Sequence, residues 1–225
     1  MRGAFVRLLP VQRDDHALFV RWMELSPAGV LANGSQTSPR SAEDWERAIE
    51  SGTTRYAVIE TSEGTKIGAV SWQELAYPGS YLVGGIVGDG ALWDTGLGLE
   101  GAMLLVAYLF DFENAHRVEL VAALYNKRTL GFLVKGDTVV EALLRDFVFA
   151  DSHHHDVIVC SLMREEYYAP FDGYQPVLRA TSGSEKELAH ARFHAHLSGE
   201  AGEPLRSLAE TVTQRPGERI TDVGA

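Results

Sequence analysis

With 225 residues, 45% of them hydrophobic and 23% charged, the chain is long enough for one domain with a packed core, or for a smaller domain with an extension. Its formal net charge of −11 argues against nucleic acid or an anionic membrane as the main partner, because clustered Lys and Arg bind both. The single cysteine, Cys160, excludes an intramolecular disulfide, and we expect neither a leader nor a membrane span. These features predict a cytoplasmic protein.

The first part of the chain predicts one strand and two helices. The strand is Val6–Val11, and Asp14–Asp15 is the expected N-cap of a first helix with apolar residues at helical spacing up to Met23. A loop rich in Gly, Pro, Asn and Ser follows at Ser26–Ser38. Ser41–Asp44 is close to a capping box and predicts the start of the second helix.

Three strands are predicted next. They are Tyr56–Glu60, Lys66–Trp72 and Tyr81–Val87, separated by the turn signals Thr61–Thr65 and Tyr77–Ser80. Short turns between successive strands predict an antiparallel meander.

A long apolar helix is predicted at Leu97–Phe112, followed by a strand at Val118–Leu124. Leu99, Met103, Val106 and Phe110 would share one face of this helix, but other faces are apolar too, so the helix should be covered on several sides. A strand, a helix and a strand in this order form a βαβ unit, which predicts that Tyr81–Val87 and Val118–Leu124 are parallel neighbours.

The last third of the chain predicts a hairpin and a separate extension. A short helix is expected near Asn126, and a loop at 150–155 joins two long strands, Thr138–Phe149 and Asp156–Met163. Cys160 would be a buried residue of the second strand. The composition changes beyond Pro170, so we predict a domain at 1–169 and an extension at 170–225. The extension carries expected helices at Glu185–Leu197 and Pro204–Val212 and a polar end.

Three successive histidines, His153 to His155, invite a metal-site interpretation. Neighbouring side chains of an extended chain point to opposite faces, so the three cannot all bind one ion. We therefore predict no metal, and we expect an exposed loop here.

The segment Leu92–Gly101 predicts a glycine-bearing turn that opens the apolar helix. Gly96 and Gly98 would let the backbone approach a ligand closely, since no Cβ intervenes. Free backbone N–H groups and the positive end of the helix dipole make such a helix start a site for an anion such as a diphosphate. An ordinary strand–turn–helix junction is the alternative interpretation.

Two motifs together carry a family resemblance. Trp93 and Glu100 flank the glycines of the turn, and His116–Glu119 is followed by Asn126–Thr129. In this order the motifs resemble the GNAT superfamily of N-acetyltransferases, in its RimJ/RimL-like branch, over Val6 to Tyr168. Trp93 replaces the usual Arg or Gln of the superfamily motif. The family also has a Lys-x-Gly-Phe motif before the next strand, and its nearest counterpart here, Lys135–Gly136, is one residue shorter and lacks the Phe.

The resemblance implies an α/β (α+β) fold with a mixed, mostly antiparallel sheet flanked by helices, here with a C-terminal helical extension. It implies acetyl-CoA as cosubstrate, bound by residues of the strand end, the glycine turn and the next helix: Ile86, Val87, Trp93, Thr95, Gly96, Leu97, Gly98, Asn126 and Arg128. Ile86 and Val87 would supply the backbone donor for the developing oxyanion.

The catalytic residues follow less directly. By the resemblance, the Thr129 hydroxyl stands where the family has a Ser near the departing thiolate, although it could equally bond its own helix backbone. Glu74 is the first candidate for the general base, with Asp89 and Asp151 behind it.

The implied reaction moves an acetyl group from acetyl-CoA to a primary amine, at a protein N-terminus or on a small molecule, by direct attack in a ternary complex. Two alternatives stay open: a different acyl donor, or a non-catalytic acyl-CoA-binding or interaction protein. The expected partners are an acyl-CoA and an amine acceptor, in a monomer or a homodimer.

Overall fold

The structure, a computed structural model, describes residues 1–23, 41–133, 138–170 and 182–198, and seven strands of this part form one sheet. The strands are β1 Val6–Pro10, β2 Arg55–Thr61, β3 Lys66–Glu74, β4 Ser80–Val87, β5 Arg117–Ala123, β6 Val139–Ala150 and β7 His153–Met163. Their order in the sheet is β1-β2-β3-β4-β5-β7-β6. The helices are α1 His16–Met23, α2 Ala42–Glu50, α3 Leu97–Asp111, α4 Lys127–Leu133, α5 Arg164–Tyr168 and α6 Gly183–Ser198.

The sheet is mixed and mostly antiparallel, as the sequence predicted. Strands β2 to β4 form the expected meander, β1 adds to it antiparallel to β2, and β5, β7 and β6 also pair antiparallel. Among the described strands, β4 and β5 alone run parallel, which confirms the βαβ unit. The first unit of the chain is Met1–Leu178 and the second is Arg179–Ala225, so the predicted division after residue 169 stays a prediction.

Helices pack on both faces of the part of the sheet formed by β1 to β4. On one face, α3 packs against β1 to β4 through a core cluster that includes Val6, Leu8, Ile59, Val70, Val83, Leu105, Leu109 and Phe110. On the other face, α1 and α2 pack through Phe19, Trp22, Trp45, Val58 and Ala69. We call these the α3 face and the α1–α2 face. A third cluster joins α4 to β5 and β7 through Ala122, Leu133, Ile158 and Cys160.

The start of the first helix differs from the prediction. Asp15 is not an N-cap but the last residue of a 3-10 turn, Arg13–Asp15, which precedes α1. One carboxylate oxygen of Asp15 accepts from the backbone N of Gln12 at 2.9 Å, and the other binds the Lys66 ammonium on β3. The local sequence pattern could not indicate the ion pair between Asp15 and Lys66, because Lys66 lies on a distant strand. The capping box at Ser41 and Asp44 is confirmed.

The expectation that α3 is covered on several sides is confirmed, because the four successive residues from Leu104 to Ala107 are all buried, but one strip of its surface is exposed. Leu105 and Leu109 are buried, but Leu99 is 42% and Met103 is 41% exposed. The predicted face of Leu99, Met103, Val106 and Phe110 is therefore divided, since its C-terminal half is buried and its N-terminal half is exposed. Glu100 beside this strip accepts from the backbone N of Phe5, at 3.1 Å, which ties the N-terminal segment to the helix.

The histidine segment is a strand and not a loop. Strand β7 begins at His153, and only Asp151 and Ser152 separate it from β6. Both turn residues have positive φ, 49° and 64°, which matches the twist of a tight hairpin. Cys160 is buried in β7, as predicted.

Two further elements complete the description. The short helix α5 was not predicted; it begins where the backbone N of Met163 donates to Glu166 Oε2 at 2.8 Å. The predicted helix at Glu185–Leu197 is confirmed as α6. The predicted loop Ser26–Ser38, the helix Pro204–Val212, the polar end and Lys135–Gly136 lie outside the described residues. In the described ranges no helix is long and apolar enough to cross a membrane.

Candidate active site

A gap opens in the middle of the sheet, between β4 and β5. The parallel register joins Ser80–Val83 to Arg117–Leu120 and ends there, although β4 continues to Val87 and β5 to Ala123. Strand β4 stays paired with β3 as far as Val87, and β5 stays paired with β7 as far as Ala123, so the two halves of the sheet diverge beyond Val83 and Leu120. The sheet therefore has a cleft whose one wall is the edge of β4.

Backbone groups of β4 line this cleft. The bonds from Gly88 N to Ile67 O, at 2.9 Å, and from Leu75 N to Ser80 O, at 2.8 Å, show that even-numbered residues of β4 bond to β3. The N–H and C=O groups of the odd-numbered residues point the other way, so those of Gly85 and Val87 face the cleft. Of the two predicted donors, Val87 faces the cleft, but the backbone of Ile86 turns to β3. Gly85 was not predicted.

Two exposed glycines stand where the pairing ends. Gly84 and Gly85 are both exposed, although they lie in a central strand. A Cβ at Gly84 would meet Ser71 Oγ at 3.0 Å, and one at Gly85 would lie 3.7 Å from Val70 Cγ1 on the α3 face. Successive residues of a strand point to opposite faces of the sheet, so at Gly84 and Gly85 neither face carries a side chain of β4. The cleft is accessible from both sides.

The glycine turn brings the start of α3 to the same place. Gly96 precedes α3 in the left-handed region, with φ of 86°, which favours glycine. Glu100 N donates to Gly96 O at 2.9 Å as the first intrahelical bond, so the N–H groups of Gly98 and Leu99 point out of the helix end. A Cβ at Gly98 would approach Val87 Cγ2 to 2.6 Å, which places these amides beside the end of β4.

Trp93 and Arg128 connect the turn to α4. Trp93 donates from Nε1 to the Val87 carbonyl at 2.8 Å, while the Arg128 guanidinium lies 4.5 Å above its ring. Arg128 Nε is 3.1 Å from Asp94 Oδ1, an ion pair without the alignment of a hydrogen bond. Arg128 thus lies against the turn that leads into α3, with its charge paired to Asp94.

Asn126 and Thr129 lie at the start of α4, on the β5 side of the cleft. Asn126 Oδ1 accepts from Thr129 N at 3.3 Å and so caps the helix. Both residues are half-buried. That Asn126 binds the cosubstrate and that Thr129 is catalytic stay predictions. The same holds for cosubstrate binding by Thr95, whose hydroxyl donates to Leu92 O at 2.6 Å.

The predicted base candidates are held in turns. Glu74 accepts from Gly79 N at 3.0 Å in the β3–β4 turn, at the end of the sheet where β4 and β5 are still paired. Asp89 accepts from Ala91 N at 2.9 Å ahead of the glycine turn, and Asp151 forms the β6–β7 turn. The role of Glu74 as general base stays a prediction, but the structure does not place Glu74 at the cleft.

A charged network on the α1–α2 face was missed. Arg117 Nε donates to Glu119 Oε1 at 2.9 Å, and both terminal nitrogens of Arg117 bind the Glu141 carboxylate. Ser161 donates to Glu141 Oε1 at 2.7 Å. Because the Arg117 and Ser161 hydrogen bonds stabilise the anion, they lower the pKa of Glu141 to about 2. Arg117 and Glu119 belong to a motif that the sequence did supply, but Glu141 is distant in sequence.

The described residues contain no group of three or more His, Cys, Asp and Glu placed to hold a metal ion. Amides at a helix start, an arginine and cleft-facing backbone groups suit an elongated anionic ligand with a polar, extended arm. This chemistry agrees with the cosubstrate that the sequence motifs imply.

One comparison with known proteins identifies a family. The family model of the acetyltransferase (GNAT) domain matches residues 6–136, more than half of the chain. The chain has no significant match among curated protein sequences.

Among solved structures, the spermidine/spermine N-acetyltransferase SpeG from Vibrio cholerae, in complex with manganese ions, has a TM-score of 0.63 at 18% identity, over 75% of this chain and 98% of that chain. The Vibrio cholerae enzyme in complex with CoA and spermine has a TM-score of 0.61 at 19% identity, over 72% of this chain and 97% of that chain. A structure described as a probable acetyltransferase has a TM-score of 0.60 at 18% identity, over 72% of this chain and 95% of that chain. These structures share the fold, and the family model shows that the chain belongs to the GNAT family and is an N-acetyltransferase.

Proposed function

We propose that this enzyme transfers an acetyl group from acetyl-CoA to a primary amine in a ternary complex. The cleft between β4 and β5 carries the proposal, because it is open to both faces of the sheet at Gly84 and Gly85. A donor on the α3 face and an acceptor on the α1–α2 face would meet through it.

The donor side has groups suited to each part of CoA. The amides of Gly98 and Leu99 and the guanidinium of Arg128 would bind the diphosphate. The amide-rich pantetheine arm would lie along β4 and take the hydrogen bonds of Gly85 and Val87 that β5 does not use. Asn126 would bind this arm as well, in addition to capping α4.

Three steps require protein groups. The acceptor ammonium must lose a proton before it attacks, since only the neutral amine has a free lone pair. A cleft-facing N–H of Gly85 or Val87 would donate to the carbonyl oxygen as negative charge develops on it. The Thr129 hydroxyl would donate toward the departing thiolate. Glu74 is the base that the sequence suggested.

The finer assignment is the RimJ/RimL-like branch, supported by Trp93 and by Asn126–Thr129. Trp93 has a role consistent with such a motif, because its indole holds the Val87 carbonyl at the cleft. In that case peptide N-termini are acceptors to test first, and spermidine is another because structurally similar SpeG is named for it. SpeG is described as dodecameric, whereas for this chain a cytoplasmic monomer or homodimer stays our prediction.

Thermal unfolding with and without acetyl-CoA tests the donor, and thiol release with a panel of peptides, amino sugars and spermidine tests the acceptor. A ligand at about 100 times its Kd adds about 2.7 kcal/mol to the folded state. Gly85→Val should abolish this shift without unfolding the chain, since the Cβ position lies at ordinary contact distances. A shift without turnover would favour the non-catalytic acyl-CoA-binding alternative, and a shift with other acyl-CoAs alone would favour another donor.

A further inference from the structure

We propose that Glu119 accepts the proton of the acceptor amine and that Arg117 positions its carboxylate for this. The inference rests on the proposed amine acetylation and assigns a base that the sequence placed elsewhere, at Glu74.

Glu119 lies beside the cleft on the acceptor side. It pairs with Leu82, one residue before the parallel register ends at Val83 and Leu120. Tyr81 and Val83 pack on the α3 face, so Leu82 and its partner Glu119 point to the α1–α2 face, where Gly84 leaves the sheet bare.

The distance to the reacting atoms calls for a water. Gly85 lies three residues beyond Leu82, about 10 Å along the strand at 3.3 Å per residue. Part of that distance is spanned by the glutamate side chain and part by the acceptor amine. One water between carboxylate and amine then completes the path, which is an ordinary arrangement for general base catalysis.

The Glu119 carboxylate is oriented by Arg117. Arg117 Nε binds Oε1 at 2.9 Å, while the rest of the guanidinium is held by Glu141 on β6. Glu119 Oε2 has no partner among the described residues, and the side chain is 24% exposed, so this oxygen can meet water. The groups around it are the Arg117 cation, the Glu141 anion and the Ser161 hydroxyl; β4 contributes the apolar Leu82.

The proposed proton transfers balance over the whole reaction. The acceptor arrives as an ammonium, and one proton passes through the water to Glu119. The lone pair of the amine forms the C–N bond with the thioester carbonyl carbon. The C–S bond breaks, and the leaving thiolate takes the second N–H proton. Glu119 then returns its proton to solvent, so the net change is one amide, one thiol and one released proton.

The test compares Glu119→Gln and Glu119→Asp with the wild-type chain, and Glu63→Gln serves as a matched control in the exposed β2–β3 turn. For each, kcat and KM for an accepted amine are measured from pH 6 to about 10, near the pKa of a free alkylamine. The midpoint of unfolding with and without acetyl-CoA is measured alongside. Glu119→Gln is isosteric and leaves Arg117 bound to Glu141, so the fold should persist.

We expect kcat/KM of Glu119→Gln to fall by roughly 10²- to 10⁴-fold at neutral pH, with an unchanged acetyl-CoA shift. The deficit should shrink toward pH 10, where the free amine no longer needs a base, and Glu119→Asp should recover part of the loss. A deficit independent of pH, a loss of the acetyl-CoA shift in step with kcat, or near-wild-type kcat would overturn the proposal. If the wild-type chain itself turns over no amine, amine acetylation fails and the assignment of Glu119 fails with it.

Discussion

Gly98→Ala should destabilise the enzyme through a single contact. The added Cβ would lie 2.6 Å from Val87 Cγ2, where carbon atoms need about 3.5–4.0 Å, so the helix start and the strand end must separate by about 1 Å. Overpacking of this kind costs about 1–3 kcal/mol. Gly131→Ala is the matched control, because it makes the same change in α4 with no atom within 4 Å of the new Cβ.

Both substitutions gain a similar helix propensity, so the difference between them isolates the contact with Val87. For a chain of this size, about 1–3 kcal/mol corresponds to a midpoint of thermal unfolding about 2–12 °C lower for Gly98→Ala than for Gly131→Ala. The assay is calorimetry or circular dichroism of the two variants, followed by titration of acetyl-CoA. We expect weaker acetyl-CoA binding in Gly98→Ala alone, because Val87 carries cleft-facing groups.

A double-mutant cycle decides whether the contact is the cause. Val87→Ala removes the methyl that the new Cβ meets, so adding Gly98→Ala to it should cost little further stability. The expected coupling is about 1–3 kcal/mol in favour of the double variant. If Gly98→Ala is as stable as Gly131→Ala, or if the coupling is below about 0.5 kcal/mol, the close approach of helix and strand is not as described.

Two further predictions concern the turn and the charged network. Trp93→Phe deletes the 2.8 Å bond to the Val87 carbonyl but keeps a ring under Arg128, so we expect a loss of about 1 kcal/mol and weaker acetyl-CoA binding in a thermal-shift titration. The pKa of Glu141 falls from 4.5 to about 2 on folding, so its stabilisation is full above pH 4.5 and is lost as the pH falls toward 2. The carboxylate is 37% exposed and therefore screened, which leaves about 1–2 kcal/mol; the free energies of urea unfolding of wild type and Glu141→Gln should converge as the pH falls from about 4.5 to about 2.

Local signals in the sequence predicted most of the fold. Alternating apolar residues gave the strands, and the strand–helix–strand order gave the parallel pair of β4 and β5. The start of α3 followed from Gly96 and Gly98, because a left-handed residue before a helix favours glycine. The hairpin of β6 and β7 was misplaced because the polar histidines from His153 resemble a loop, whereas the turn is confined to Asp151 and Ser152.

The site was harder to predict because it depends on register. Whether Ile86 or Gly85 faces the cleft is decided by which β4 residues bond to β3, and a shift of one residue would exchange the two. The contact of Arg117 with Glu141 joins residues 24 apart across three strands. Glu141 also lies at the register shift of β6 between Val140 and Ala142, which no local pattern of the sequence indicated.

The end of β4 keeps its place at an open cleft because other elements approach it closely. A Cβ at Gly68 of β3 would lie 3.0 Å from the Cα of Val87, and one at Gly98 of α3 would lie 2.6 Å from its side chain. A Cβ at Gly88, just beyond the strand, would overlap Trp22 of α1 at 1.8 Å. Because these three glycines have no side chains, β3, α3 and α1 pack directly against the end of β4, where β4 is no longer paired with β5. Backbone donors fixed in this way need no reorganisation when negative charge develops nearby, which is the condition under which they stabilise a transition state most effectively.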